Sequence, residues 1–232
     1  MLGYIDAMQT PVFNPLRLMV GAVLALLMSS PAMAIEEPKY KVVVSDEAFE
    51  IREYEPMLIA ETIVDGDMGE ASSRGFRLLA DFIFGNNLVP GTGQAGKIAM
   101  TAPVTMEPQS AKIAMTAPVT MEPQSGASSM QTANRWRMDF VMPSRFTMDN
   151  IPKPKNGAVQ LREIPVKTFV VHKFTGFNTL ARVQSKTDEM MSWVGQRGYQ
   201  VIGAPQLARY DPPWTLPMFR RNEIKIEIAT KP

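Results

Sequence analysis

The chain has 232 residues, with 24 Lys and Arg against 23 Asp and Glu, a formal charge of +1 and no cysteine. That balance offers no overall electrostatic pull toward nucleic acid or an anionic membrane. The lack of thiols excludes disulfides and thiolate metal sites, so stability has to come from packing.

Residues 1–34 read as a secretory signal. Arg17 precedes the apolar run Leu18–Met28, and Ala32-Met33-Ala34 supplies a small-x-small cleavage site. Mature protein then begins near Ile35, in the periplasm or secreted. Asp6 is unusual in the leading part of a signal, which makes Met8 an alternative start. The apolar run, about 11 residues, falls short of the roughly 20 that span a bilayer, so no stable span is expected after cleavage. Residues 35–232 are sized for a single domain.

Strands dominate the rest of the chain. Lys39–Val44, Glu50–Val64 and Val159–Phe174 are predicted strands, the last two bent at Pro56 and Pro165 because proline cannot donate to a ladder. In Trp136–Met142 the side chains of Trp136, Met138, Phe140 and Met142 share one face, and Arg137 and Asp139 the other. Ile224, Ile226 and Ile228 repeat this, with Glu223, Lys225 and Glu227 facing away, as in half-buried antiparallel strands. Tyr199–Ile202 is a weaker strand. Phe76, Leu79, Ala80, Ile83 and Phe84 follow helical spacing until Gly85-Asn86-Asn87 stops them. A second helix is predicted over Asn178–Gln196, with Leu180, Val183, Met190, Met191 and Val194 as its stripe and Trp193 off it.

Two repeats are present. At an offset of 110 residues, Ile51 meets Leu161, Arg52-Glu53 meets Arg162-Glu163 and Gly66 meets Gly176. Chance likeness between amphipathic strands is one explanation. The other is a duplicated strand-helix-strand-strand unit, about 39–144 and 159–228, whose sheets close around a shared core with the helices outside. The second repeat is literal: Lys97–Ser110 recurs as Lys112–Ser125, a tandem duplication within 97–125. Its 15-residue period is odd, and an odd shift within one strand moves every side chain to the other face. The copies therefore form a hairpin, or one holds the sheet register and the other is a surface excursion.

The first helix shows a second apolar strip, Ala71, Gly75, Leu78 and Phe82, read as nearly opposite the first and separated from it by Arg74, Arg77 and Asp81. Burying a Leu or Phe side chain is worth roughly 1.5–3 kcal/mol, so Leu78 and Phe82 should be covered. A flat apolar ligand with Arg74 or Arg77 near its carboxylates would cover them; so would the 87–135 segment, a protein partner or a dimer contact. His172, the single histidine, shares parity with Val170 and Phe174 and is either a packed residue or an axial metal ligand. One His without Cys disfavours a zinc site, a catalytic triad and a Cys-His dyad, so no enzymatic activity is expected.

The block KIAMTAPVTMEP at 97–108, repeated at 112–123, resembles the Met-Thr-x-Pro-Val block of the SOUL family of heme-binding proteins. Ser73–Asn87, Trp136–Ser144 and Arg209–Ile224 are similar to that family's first helix, following strand and C-terminal Tyr-x-Pro-Pro and Arg-Arg-Asn-Glu block. The resemblance implies an α+β fold, duplicated and SOUL/GyrI-like, with a barrel-like antiparallel sheet flanked by two helices. It also implies non-catalytic binding of heme or another tetrapyrrole beside the first helix, as carrier or buffer, and places Met100 or Met115 near that helix. Arg74, Arg77, Leu78, Phe82, Met100 and Met115 are then the expected ligand contacts; His172 does not match a heme-ligating histidine of the family, so the metal ligand stays open, with His172 either a packed or surface residue or an axial ligand. A module for another amphipathic small molecule, or for a protein partner, is the alternative. Tyr210-Asp211-Pro212-Pro213 and Arg220-Arg221-Asn222-Glu223 read as structural.

Overall fold

A computed structural model describes residues 35–108, 130, 133–212 and 214–229. Its elements are β1 (Tyr40–Asp46), β2 (Phe49–Tyr54), β3 (Met57–Asp65), α1 (Met68–Phe84), β4 (Asn87–Leu88), β5 (Val104–Pro108), β6 (Arg135–Val141), β7 (Lys153–Pro154), β8 (Val159–Ile164), β9 (Lys167–Thr175), α2 (Leu180–Gln196), β10 (Gln206–Arg209) and β11 (Arg221–Glu227), with a 3-10 turn at Pro217–Phe219.

Pro56 and Pro165 break their segments rather than bend them. β2 pairs with β9, while β3 lies between β6 and β8, so the two pieces of each predicted long strand go to different parts of the sheet. Nine strands form one sheet in the order β1-β2-β9-β11-β10-β5-β6-β3-β8, with every ladder antiparallel; β4 and β7 pair apart. With β1 set aside, the order is unchanged when β2, β9, β11 and β10 are exchanged for β8, β3, β6 and β5. The pseudo-twofold axis runs between β10 and β5, where Leu207 faces Met106 and Ala208 faces Thr105. The fold is a duplicated α+β fold, and the repeated unit is strand-strand-helix-strand-strand. β5 comes from the first copy of the tandem block, which therefore holds the register; the second copy, Met115 and residues 1–34 lie outside the described residues.

α1 begins five residues before the expected Ser73, because the Asp67 carboxylate accepts from the Gly69 and Glu70 amides at 2.8 and 2.9 Å. It ends at Gly85, whose φ of 129° suits only glycine. Both strips contribute to the packed face. Ala71, Gly75 and Phe82 of the second strip and Leu79, Ala80 and Ile83 of the first are buried, with Phe82 only 1% exposed, while Phe76 (39%) and Phe84 (58%) of the first strip reach the surface. At 100° per residue these six span about 180°, so the strips are not opposite but adjoining. The small Ala71 and Gly75 bring this face closest to the sheet: a Cβ at Gly75 would stand 2.3 Å from Met138 Sδ.

On α2, Val183, Thr187, Met190, Trp193 and Val194 are buried. Trp193, expected off the stripe, is part of the packed face. It stacks between Phe49 and Tyr199 at 5.2 and 5.9 Å, and its indole donates to Asp46 Oδ2 at 3.0 Å.

Candidate ligand cleft

Strand alternation sends Trp136, Met138, Phe140, Ile224 and Ile226 to the helix-bearing side, where they join the core. The opposite parity points into a hollow. Phe169 on β9 and Ile59 on β3 line the same cleft although four strands lie between theirs, on the order of 24 Å across a flat sheet at about 4.8 Å per strand. The sheet is therefore strongly curled into a half-barrel, and this is its inner face. Arg137, Asp139, Glu223, Lys225 and Glu227, expected to face away from the core, stand here: Glu223 is 1% exposed and Lys225 8%. Curvature, which strand periodicity does not encode, turned an outward face into an enclosed one.

Most of these charges are committed to one another. Arg162 grips Glu61 with bonds of 3.0 and 2.6 Å, and Arg137 reaches Glu107 at 3.4 Å and Glu61 at 3.6 Å. Lys167 pairs with Glu227 at 2.5 Å. Deeper, the Arg52 fork donates to both oxygens of Glu223 at 3.0 and 3.1 Å, and the Tyr210 hydroxyl adds a bond of 2.7 Å. Burial works against the Arg52 charge, but Glu223 outweighs it and raises the pKa. The Tyr210 and Arg220–Glu223 blocks are thus structural, as their sequence suggests; Asp211 accepts from the Arg221 amide at 2.6 Å and Asn222 donates to Gly176 O at 3.0 Å.

Asp139 and Lys225 are different. Asp139 sits between Glu61 and Thr105 across the ladder. Burial lifts its carboxyl to about 7; Lys225 and Arg162 pull it down, and Glu107 and Glu61 push it further up. Burial also holds the Lys225 ammonium below its ordinary range, against the pull of Asp139 and Glu223. Lys225 faces rings, lying 5.5 and 5.4 Å from the centres of Tyr54 and Phe169. Met57, Ile59, Val141 and Ile164 give the cleft apolar walls.

The cleft measures about 130 Å³ and adjoins a second hollow of about 290 Å³, with Pro38, Met57 and Val141 shared by the two. Residues 36–38 form a strap along the second hollow, with Pro38 reaching the first. The Glu36 carbonyl accepts from Ala102 N at 3.0 Å and its side chain from Ser144 N at 2.8 Å, while Glu37 pairs with Arg221 at 2.5 Å.

None of the described residues expected at the site lines either hollow. Arg74 and Arg77 are exposed on α1, Leu78 is half-buried against the core, Phe82 is inside it, and Met100 is 44% exposed. Phe82 is covered by the protein's own core, and Asn87 Nδ2 donates to Phe82 O at 2.7 Å and Ile98 N to Ile83 O at 2.8 Å, which ties the backbone of the following segment to the end of α1. His172 is 3% exposed beneath α2, on the other side of the sheet from the cleft. Its Nδ1 lies 3.1 Å from Lys186 O, its Nε2 3.7 Å from Glu189, and its ring packs on Phe49 at 4.3 Å. Burial keeps its pKa low. The signal that could have located the cleft was present: charged residues recur at the non-core parity of several strands, including both pieces of the duplicated unit at Arg52 and Arg162.

The family model for the SOUL heme-binding protein matches residues 35–111 and 107–227. Among solved structures, the chain is similar to the C-terminal domain of EcmrR at 13% identity and a TM-score of 0.53, covering 83% of this chain and 99% of that one. EcmrR in a DNA complex gives 13% identity and 0.51, over 92% of this chain and 65% of that one. A structure described as a hydrolase from Listeria innocua gives 12% and 0.50, over 81% and 94%. No curated protein matches the sequence. At such identities the likeness is one of fold.

Proposed function

The chain belongs to the SOUL heme-binding protein family, and from that premise we propose that it binds heme or a related tetrapyrrole without catalysis, as a carrier or buffer, in the inner cleft of the half-barrel. The observation that carries this reading is the buried Lys225 ammonium between Tyr54 and Phe169, at the floor of a hollow with aliphatic walls. An ammonium that burial disfavours, next to apolar surface, suits the carboxylate of an amphipathic molecule. The cleft alone is smaller than the roughly 300–1,000 Å³ of typical ligand sites, but joined to the hollow along the strap it enters that range. The ligand body would then lie against residues 36–38. Met57 is a lining side chain with the chemistry to ligate heme iron, whereas the Tyr54 hydroxyl is buried and accepts from Arg52 at 3.1 Å. Export through residues 1–34 belongs to the same proposal and puts the carrier in the periplasm or outside the cell.

A second reading keeps the ligand on the outer surface of α1, where Arg74, Arg77, Leu78 and Met100 would meet it; the exposed Phe76 and Phe84 favour it. A hemin titration followed by the Soret band separates the two. Saturable one-to-one binding that weakens at least about tenfold in Lys225→Met, and not in Phe76→Asp/Phe84→Asp, supports the cleft, tenfold being about 1.4 kcal/mol. Affinity should also fall as pH rises through the lowered Lys225 pKa. Equal affinity in Lys225→Met and wild type overturns the cleft. Binding of other amphipathic carboxylates but not hemin would keep the site and change the ligand.

A further inference from the structure

We propose that the end of the molecule formed by the 176–180 turn and the 214–220 loop docks on an anionic lipid bilayer. Six large apolar side chains are bare there: Trp214 is 82% exposed, Phe219 69%, Met218 63%, Leu216 and Phe177 58% each, and Leu180 37%. At about 150–250 Å² for a large aromatic side chain, this leaves on the order of 500 Å² of apolar surface in water, as much as the largest patch on an ordinary monomer.

The two segments share one end of the sheet. Arg221 pairs with Thr175 in the β11–β9 ladder, Asn222 holds Gly176 O, and the Arg220 guanidinium lies 5.6 Å from the Phe177 ring centre. Loop tips, not a groove, present the side chains, and the loop is fastened beneath them: Arg220 Nε donates to Thr215 O at 2.7 Å and Phe219 N to Leu216 O at 2.9 Å. Apolar side chains held this exposed on a fastened loop suit burial at the boundary between lipid headgroups and acyl chains.

Charge selects the kind of surface. Residues 176–182 and 214–220 contain Arg182 and Arg220 and no Asp or Glu. The nearby Asp211 carboxylate already accepts from the Arg221 amide. Trp and Phe at headgroup depth with arginines at the rim are the composition of an interfacial anchor facing anionic lipid. The overall charge of +1 conceals this local excess. Among the described residues no helix is long and apolar enough to cross a membrane, so the contact is peripheral.

The test uses full-length protein and large vesicles of phosphatidylcholine, with and without about one quarter phosphatidylglycerol. Both wild type and variants carry residues 1–34, so a difference between them reports the tip. Trp214 is the exposed indole, whereas Trp136 and Trp193 are 0% and 7% exposed, so brominated lipid reports its depth directly. We expect quenching with a blue shift, stronger partitioning into the anionic vesicles, and a loss of about tenfold or more in Trp214→Ser/Phe219→Ser with near-ultraviolet dichroism unchanged. Arg182→Glu should remove the preference for phosphatidylglycerol. Unquenched Trp214, or equal partitioning of wild type and the double variant, overturns the proposal. Lipid-free self-association abolished by the same double variant, without vesicle binding, assigns the patch to a second copy and overturns it too.

Discussion

Replacing Asp139 by Asn tests whether the cleft floor is as poorly hydrated as its burial implies. Burial holds this carboxyl at about 7 in the folded protein, against an ordinary 3.8. The folded value lies above the unfolded one, so folding favours the protonated form. No penalty exists well below pH 4; it grows as pH rises through the interval and is complete above about 7. Three pH units at about 1.36 kcal/mol each set an upper bound of about 4 kcal/mol for keeping the carboxylate at pH 8. Asn has nearly the same shape and no charge, and removes this penalty. It also takes from Lys225 the strongest of its compensating charges, which returns part of the gain. The expected result is a variant about 1–3 kcal/mol more stable than wild type at pH 8 and nearly equal to it near pH 4, measured by urea unfolding. The same change in stability at both pH values, or a less stable variant at pH 8, refutes the reasoning.

Gly75→Ala would stabilise an exposed helix by up to about 1 kcal/mol, but with Met138 Sδ 2.3 Å from the new methyl it should cost about 1–3 kcal/mol in thermal unfolding, and the same change made in a Met138→Ala background, itself destabilised by the lost core side chain, should cost less. A Gly75→Ala protein as stable as wild type would show that α1 is not held this close. Asn87 is fully buried and makes three amide hydrogen bonds, to Phe82 O, Gly96 O and Gly96 N, so Asn87→Ala should lose about 2–3 kcal/mol; a change under about 0.5 kcal/mol would contradict the tie between α1 and the following segment. Deleting residues 111–125 removes one copy of the tandem block and leaves β5 intact; shortening the connector should change stability by less than about 1 kcal/mol. Loss of cooperative unfolding would show that the second copy supplies a strand. Protein recovered from the periplasmic fraction should have Ile35 at its N-terminus by intact mass, and retention of earlier residues would remove the export reading.

Wherever the sequence's rules are local, it was legible. Trp136–Met142 and Ile224–Ile228 give their strands by alternation, Gly85 stops α1, and the 110-residue register survives as the pairing of β2 with β9 and β8 with β3. The start of α1 was missed although Asp67 and Glu70 supply its capping signal. Phe82 was misplaced because the apolar arc of α1 is wide, and only the close approach at Gly75 decides which part of it packs. The cleft was missed for a different reason. Arg137, Asp139 and Lys225 have the same parity in a flat sheet facing water and in a curled sheet facing itself, and the curl comes from long-range pairing about an axis between β5 and β10.

The exchange of β2 and β8 across that axis bears on how the chain can be divided. Each half lends its first strand to the sheet of the other, so a lone half would expose the flank of β3 or β9 that the loan covers. Two identical halves placed together could lend these strands reciprocally, and the present arrangement is what such a strand-swapped homodimer becomes when one chain runs through both members. A gene split between β6 and β8 should therefore yield fragments that are soluble when produced together and that associate apart as like-with-like dimers, the single chain having turned a bimolecular assembly into a property of one molecule.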